Sequence, residues 1–463
     1  MRKTKHCIAQ FTFYDRTGIQ AFLEGEAEKG WLLDKIGSFG WRFRRIEPKK
    51  VHFAVTYFPD ASAFDPGPSE KEHTFREFCA HSGWMLAASN AQLQIFYNEQ
   101  EDPVPIETDP LIELDNIHKS AKKGYLLSYW LLLAVSVMQV CMQVWRIGED
   151  FVDSLSQNTT LFLIPLYGIL WLMCTVEIAG YYRWRRKAIR AAEADGVFVP
   201  TKGNRGFMLA MLWIITVAFL AMLCSMGDSK FMVIGLSSVL IVFIVISMMM
   251  GAMALMKKLG VSRAGNALIT ITLSVALSFG LSVAVLWSVI SAVDAGWLER
   301  EPVATHEFQG RTYELYADDI PLTLEDLGRA EDARYSYEMT SQESMLLAQH
   351  QCDQIARWGE NKIDWFRYSV VEVKAGFLYE PTLNSLLDTG DHGYSTDIFG
   401  NVHYDGYRQV DAAPWGAAQA YQIYFLDEPL SSYVLCYDGL ILVLNPDWNM
   451  TPEEMAIVGA IFG

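Results

Sequence analysis

The sequence is short of cysteine, of charge and of base relative to acid. Seven cysteines in 463 residues are too few for a disulfide scaffold. Only 20% of residues are charged and 51% are hydrophobic, a balance that excludes wholesale disorder. The net charge of −17 argues against binding nucleic acid through its phosphates. There is no P-loop, no six-residue GxGxxG, no paired CxxC and no GxSxG elbow, and Gly37-Ser38-Phe39-Gly40 is too short for a nucleotide fingerprint. The first 40 residues carry polar and charged groups throughout, so no cleavable signal peptide is expected and the first apolar run must itself direct insertion. With no catalytic motif and no cofactor fingerprint, the expectation is a protein that is not an enzyme and holds no cofactor.

What the chain does have is apolar length. Runs of about 20 apolar residues suffice to cross a bilayer core as helices. Five are present: Tyr125–Trp145, Leu161–Tyr182, Phe207–Met226, Phe231–Met256 and Ala267–Val293. One such run reads equally well as a buried core helix. Five in succession, with almost no internal charge, read as a multipass belt. Charge divides along the same lines, at −5 over residues 1–118, +7 over 119–296 and −19 over 297–463. The expected architecture is therefore a membrane all-α belt of five transmembrane helices over 119–296. It is flanked by an N-terminal α+β domain over 1–118 and a C-terminal α+β extracytoplasmic domain over 297–463.

Flanking bases set the orientation. Lys119, Lys122 and Lys123 precede the first run; Arg183, Arg185, Arg186, Lys187, Arg190, Lys202 and Arg205 lie between the second and third; Lys257, Lys258 and Arg263 lie between the fourth and fifth. The loops on the opposite side carry only Arg146 and Lys230. The N-terminus is expected in the cytoplasm, and an odd number of crossings puts the acidic C-terminal region outside. The segment YYRWRRKAIR at 181–190 would lie at the inner leaflet, its bases facing anionic lipid and its aromatics serving as anchors.

Residues 1–100 contain a repeat. A strand is expected over Cys7–Phe13. A helix capped by Asp15 runs to Lys29 and ends at Gly30, with strands at Trp31–Ile36, Trp41–Ile46 and Val51–Phe58. A second helix over Ser69–Ser82 ends at Gly83, followed by strands at Trp84–Ala88 and Gln92–Tyr97. At an offset of 53, Phe22 corresponds to Phe75, Ala27 to Ala80, Gly30 to Gly83, Trp31 to Trp84 and Leu33 to Leu86. This is a duplicated helix–strand unit in which glycine ends each helix and a tryptophan opens the next strand.

The segments KGWLL at 29–33, YFPD at 57–60 and SGWMLAASNAQLQIF at 82–96 resemble the bacterial domain-of-unknown-function family 2812 over about residues 8–100. The family brings no activity or residue role. Its members are often membrane proteins, some encoded near PadR-type transcription regulators. The resemblance thus implies a bacterial plasma membrane and a regulatory setting. Trp31, Trp84 and their aromatic neighbours are either contacts for a cytosolic protein partner or, more simply, core.

In the C-terminal region, strands are expected on either side of Gln309-Gly310 and over Trp365–Lys374, a helix over Phe377–Leu387, and a hairpin at Asp438-Gly439. Thr451-Pro452-Glu453-Glu454 is a capping box with proline at the first helical position. Between residues 388 and 405 lie Asp388, Asp391, His392, Asp397, His403 and Asp405. These are weak metal candidates, because the spacing matches neither a calcium loop nor a zincin helix, and a solvated loop is the simpler reading. Cys352 and Cys436 are either bridged or two free buried thiols, the latter being favoured.

Glu177 is the acid well inside a run. It lies about 9 Å along the helix axis from the basic cluster at Arg183 and is expected to lean toward the interface. Ala276, Gly280, Ala284 and Ser288 form a small-residue seam on the fifth run, for packing within the belt or onto another copy. The leading functional expectation is a regulatory, signalling or accessory membrane protein joining an outer domain to a cytosolic partner. The runner-up is a small transporter or transporter subunit using Glu177 and Ser274, Ser278 and Ser282. A metal-dependent enzyme built on 388–405 comes third.

Overall fold

The computed structural model describes residues 3–7, 11–37, 40–201, 205–224, 229–294, 302–329, 333–358, 362–389, 393–396 and 402–463. The chain divides into two compact units: Met1–Gln139 with Leu166–Ile290, and Val140–Pro165 with Ser291–Gly463.

The first unit opens on the duplication, now visible as the same strand–helix–strand–strand order used twice. The first copy is β1 (Thr4–Cys7), α1 (Arg16–Glu28), β2 (Trp31–Gly37) and β3 (Gly40–Arg45), with sheet order β1-β3-β2. The second is β4 (His52–Tyr57), α2 (Glu70–His81), β5 (Met85–Asn90) and β6 (Leu93–Asn98), with sheet order β4-β6-β5. Both sheets are antiparallel. The correspondence extends to an irregularity. The β2–β3 register slips between Leu33 and Lys35, and the β5–β6 register slips between Leu86 and Ala88, the same positions in the two copies. Such a bulge bends its strand and re-aims the side chains beyond it. Leu33 pairs with Phe43 and Leu86 with Phe96, both phenylalanines being fully buried.

Each helix ends at its glycine. Gly30 has φ +81° and Gly83 φ +85°, a left-handed conformation costly for other residues. Asp15 and Ser69 cap the helix starts, accepting from the Gly18 and Glu72 amides. The expected first strand over Cys7–Phe13 is corrected: β1 ends at Cys7, residues 8–10 lie outside those described, and Phe11–Phe13 are irregular. There Phe11 packs on Phe22 and Trp41, and Phe13 on Tyr57. The Asp15 amide bonds to the Thr12 carbonyl, a turn that leads into α1 in place of a ladder.

Helix α3 (Pro110–Lys123) starts on an Asp109 cap with proline at its first position, and Gly124 separates it from α4 (Tyr125–Glu149). Then follow α5 (Phe151–Ser156), α6 (Asn158–Asp195), α7 (Arg205–Cys224), α8 (Ser229–Lys258) and α9 (Arg263–Asp294). Among the described residues four helices are long and apolar enough to cross a membrane: α4, α6, and the stretches Val239–Lys258 of α8 and Arg263–Ser288 of α9. Helix α7 has a shorter apolar stretch, Gly206–Met222, so the expected run Phe207–Met226 does not join those four, and 225–226 lie outside the described residues.

The second unit is built on an eight-stranded antiparallel sheet. Its strands are β9 (Arg334–Glu343), β10 (Leu347–Trp358), β11 (Lys362–Val373), β12 (Gly393–Thr396), β13 (Val402–Val410), β14 (Gln419–Phe425), β15 (Glu428–Tyr437) and β16 (Leu440–Pro446), in the order β12-β13-β14-β15-β16-β11-β10-β9. A hairpin of β7 (Ala304–Phe308) and β8 (Arg311–Leu315) precedes it, and α10 (Tyr379–Asp388) and α11 (Pro452–Phe462) complete the unit. Alternation along the central strands divides the core. Phe366, Tyr368, Val370, Leu435, Leu442 and Leu444 pack with Leu322, Trp415 and Val458. Val371, Val373, Val434, Cys436 and Ile441 pack with Leu383 of α10 and with Val152 and Leu155 of α5. The segment joining α4 to α6 is thus part of this core. Cys352 and Cys436 fall in separate clusters as free buried thiols, both pushed up in pKa by burial.

Candidate functional site

The first unit gathers aromatic rings around Glu177. Phe13 stacks on Tyr125, the first residue of α4, at 5.7 Å between ring centres. Tyr14 stacks on Trp184 at 5.2 Å and meets Tyr181 edge-on at 5.3 Å. The Tyr125 hydroxyl donates to Glu177 Oε2 at 2.9 Å, and the other oxygen, Oε1, is buried with no hydrogen-bond partner among the described residues. Glu177 reaches the first residue of α4 and is covered by protein there, its residue exposure being 0%. The expected anchoring role of the aromatics in 181–190 changes, since Tyr181 and Trp184 clamp the N-terminal segment onto α6. With 38 residues, α6 is about 57 Å long, well beyond a hydrocarbon core of about 30 Å, so its last turns are free for protein contacts.

Further bonds fasten this arrangement. Tyr57 donates to the Phe13 carbonyl, and His118 Nδ1 lies 2.8 Å from the Tyr181 hydroxyl. Burial, with Arg185 and Lys122 nearby, holds His118 below the usual histidine range and keeps its ring neutral. Beyond α6 the Thr201 amide donates to Thr17 Oγ1 at 2.7 Å, and the Thr17 hydroxyl donates to the Thr201 carbonyl at 2.8 Å. At the start of α9, Asn266 Nδ2 donates to the Phe64 carbonyl at 2.9 Å and Arg263 to the Asp60 carbonyl at 3.0 Å. Burial pushes the Tyr14 hydroxyl far above the usual tyrosine range, so it stays protonated.

A cavity of about 570 Å³ opens beside these rings. Phe11, Phe13, Trp41, Tyr125 and Tyr129 supply aromatic wall, and Met173, Met208 and Leu212 supply aliphatic wall from α6 and α7. Among the described residues Thr12 and Asn90 add polar side chains to the two tyrosines, and no charged residue lines it.

Residues 16–134 match the family model described as "Protein of unknown function (DUF2812)". The DUF2812 match runs from α1 into α4, so it takes in nearly all of both repeat copies and the Tyr125 that holds Glu177. No curated protein matches the chain, and no solved structure does.

The other expected site residues lie elsewhere. Asp391, His392 and Asp397 are outside the described residues. Asp388 is exposed at the end of α10. His403 and Asp405 share a face of β13 and both serve the β14–β15 turn, His403 pairing with Asp427 and the Asp405 carboxylate accepting from the Leu426 amide at 2.7 Å. Leu426 and Asp427 have φ of +49° and +65°, so these bonds hold a left-handed turn. Among the described residues no three His, Cys, Asp or Glu side chains are placed to hold a metal. Ala276, Gly280, Ala284 and Ser288 are all exposed. Ser282 and Ser288 bond carbonyls four residues back in their own helix, and Ser274 one three residues back. Trp84 is core, donating to the Val104 carbonyl at 2.8 Å, while Trp31 is half-buried against the Arg45 guanidinium.

Sequence reading missed the cavity and the docking of α5. The Asp109-Pro110 cap was a usable signal for α3.

Proposed function

We propose that the chain is a non-enzymatic regulatory or signalling protein of a bacterial plasma membrane. It couples the state of its C-terminal domain to a cytosolic protein that binds the DUF2812 segment. The observation that carries this reading is the sharing of two helices by the two units. The start of α4 and the end of α6 pack with Phe13 and Tyr14, while α5, joining the other ends of the same helices, is core in the C-terminal domain. A change in how α5 is seated therefore acts on helices that also hold the DUF2812 segment. Signalling of this kind needs two states that differ in affinity for the signal.

The reading takes α7 as a fifth crossing, with residues 1–124 cytoplasmic and 297–463 outside, in keeping with the basic flanks. It also takes the exposed small-residue face of α9 as a contact for a second copy. The test is in-cell photocrosslinking from residues 1–100 of the full chain, with and without Leu155→Asp. A specific cytosolic partner whose crosslinking changes in the variant supports coupling. Absence of any partner, together with an unchanged phenotype on deleting 1–100, overturns it.

A further inference from the structure

We propose that the aromatic cavity beside Tyr125 is a binding site for a neutral, ring-bearing lipophile that arrives through the bilayer. Its volume of about 570 Å³ falls within the range of small-molecule sites, which are mostly apolar with a few placed polar groups.

Three features of the wall define the ligand. The first is charge. Among the described residues no lysine, arginine, aspartate, glutamate or histidine lines the cavity, so an ion held by these walls would lose its hydration with no counter-charge from them. The second is ring surface. Five of the fourteen described lining residues are aromatic, and such walls favour offset or edge contacts with another ring over a flexible acyl chain. Met173 and Met208 add polarizable, adaptable side chains that fit rings of differing outline. The third is a polar handle. Thr12 lines the cavity, and its Oγ1 is buried without a hydrogen-bond partner among the described residues. A buried hydroxyl left unpaired is costly, and one hydroxyl, carbonyl or ether on the ligand would satisfy it. Asn90 offers a second such group.

The route follows from α7. Leu212 lines the cavity yet is 47% exposed, within the apolar stretch Gly206–Met222 of its helix. A molecule dissolved in the hydrocarbon reaches this rim without crossing water. The site does not depend on the partner-binding reading, and its test does not use a partner.

The test uses the full chain in phosphatidylcholine–phosphatidylglycerol nanodiscs, with benzophenone as a neutral two-ring photoprobe. After irradiation, labelled peptides are mapped by mass spectrometry. The expected result is saturable labelling centred on residues 11–13, 41, 125–129 and 208–212, displaced by excess diphenylmethane. Met208→Trp, which fills the cavity, and Leu212→Trp, which narrows its rim, each lower that labelling by about tenfold while α8 labelling stays unchanged. Leu212 is half exposed, so Leu212→Trp keeps the test open if Met208→Trp fails to fold. Labelling that rises linearly with probe, spreads along α4, α8 and α9, or ignores diphenylmethane overturns the proposal. So does labelling of these residues by an acyl-chain diazirine phospholipid but not by benzophenone, which would assign the cavity to a lipid tail.

Discussion

Ser344 donates a 2.6 Å hydrogen bond to the carbonyl of Leu155, 189 residues earlier in the chain. The same hydroxyl accepts from the Leu346 and Leu347 amides, and Asn158 Nδ2 donates to the neighbouring Glu343 carbonyl at 3.0 Å. A six-residue helix between two long ones is thereby held to a sheet far away in sequence. Val152 and Leu155 bury the apolar side of that join.

Leu155→Ala should cost about 2–5 kcal/mol of local stability, as core truncations do. Ser344→Ala should cost about 1–3 kcal/mol by leaving a buried carbonyl unpaired. Hydrogen exchange over β10 and β11 of the full chain measures both. Unchanged protection in Leu155→Ala would mean that α5 is not part of this core.

Tyr125→Phe removes the hydroxyl that Glu177 accepts from and leaves both carboxyl oxygens without a partner. A loss of about 1–3 kcal/mol is expected. Glu177→Gln retains an acceptor for Tyr125 and should be tolerated better than Tyr125→Phe. Thermal unfolding in nanodiscs ranks the two, and the reverse order would refute this account of the bond.

The two repeat glycines should respond unequally to alanine. Each is left-handed, which costs an L-residue about 1–2 kcal/mol. At Gly30 a new Cβ would also lie 2.9 Å from the Ile46 carbonyl oxygen, which is backbone and cannot step aside. At Gly83 the nearest atom, at 3.1 Å, is the side-chain nitrogen of Asn98. Gly30→Ala should therefore lower the unfolding temperature more than Gly83→Ala, and equal shifts would contradict the comparison.

Acid should act oppositely on two glutamates. Burial raises Glu454, but bonds from Arg329 and from the Thr451 amide outweigh it, and its pKa lies below the usual 4.5. A depressed carboxylate contributes stability above its unfolded pKa, and that contribution fades as pH falls through the folded one. Burial raises Glu107 above 4.5, against the pull of Arg16, so its contribution is present at low pH and fades as pH rises through the folded value. Between pH 7 and 3.5, Glu454→Gln should flatten the acid loss of stability in the C-terminal domain. Glu107→Gln should stabilise the DUF2812 segment at pH 7. Fluorescence of Trp448, whose indole lies 3.4 Å from Glu454, follows the first, and hydrogen exchange over α3 and β4 the second.

Local chemistry was legible in the sequence. The Thr451 capping box, the Asp438-Gly439 hairpin and the repeat at Gly30 and Gly83 each depend on residues within a few positions of one another. Strands β9 and β10 were not, because RYSYEMTSQE and LAQHQCDQIARW are polar and give no clean alternation. Nor was the burial of Glu177. That depends on Tyr14, Tyr125 and Tyr181, which come together only when three distant segments meet. The spacing of Ala276, Gly280, Ala284 and Ser288 puts small residues along one face of α9, but spacing alone does not name what the face meets. In lipid, apolar surface need not find a protein neighbour.

The clamp of Tyr14 on Trp184, and of Thr17 on Thr201, has a practical corollary for anyone cutting the chain. A fragment stopped at residue 118 would be deprived of Tyr125, Tyr181, Trp184 and Thr201 at once, and would reach solution with bare rings where a helix belongs. Its clumping in a test tube would then report on a missing neighbour rather than on a faulty domain.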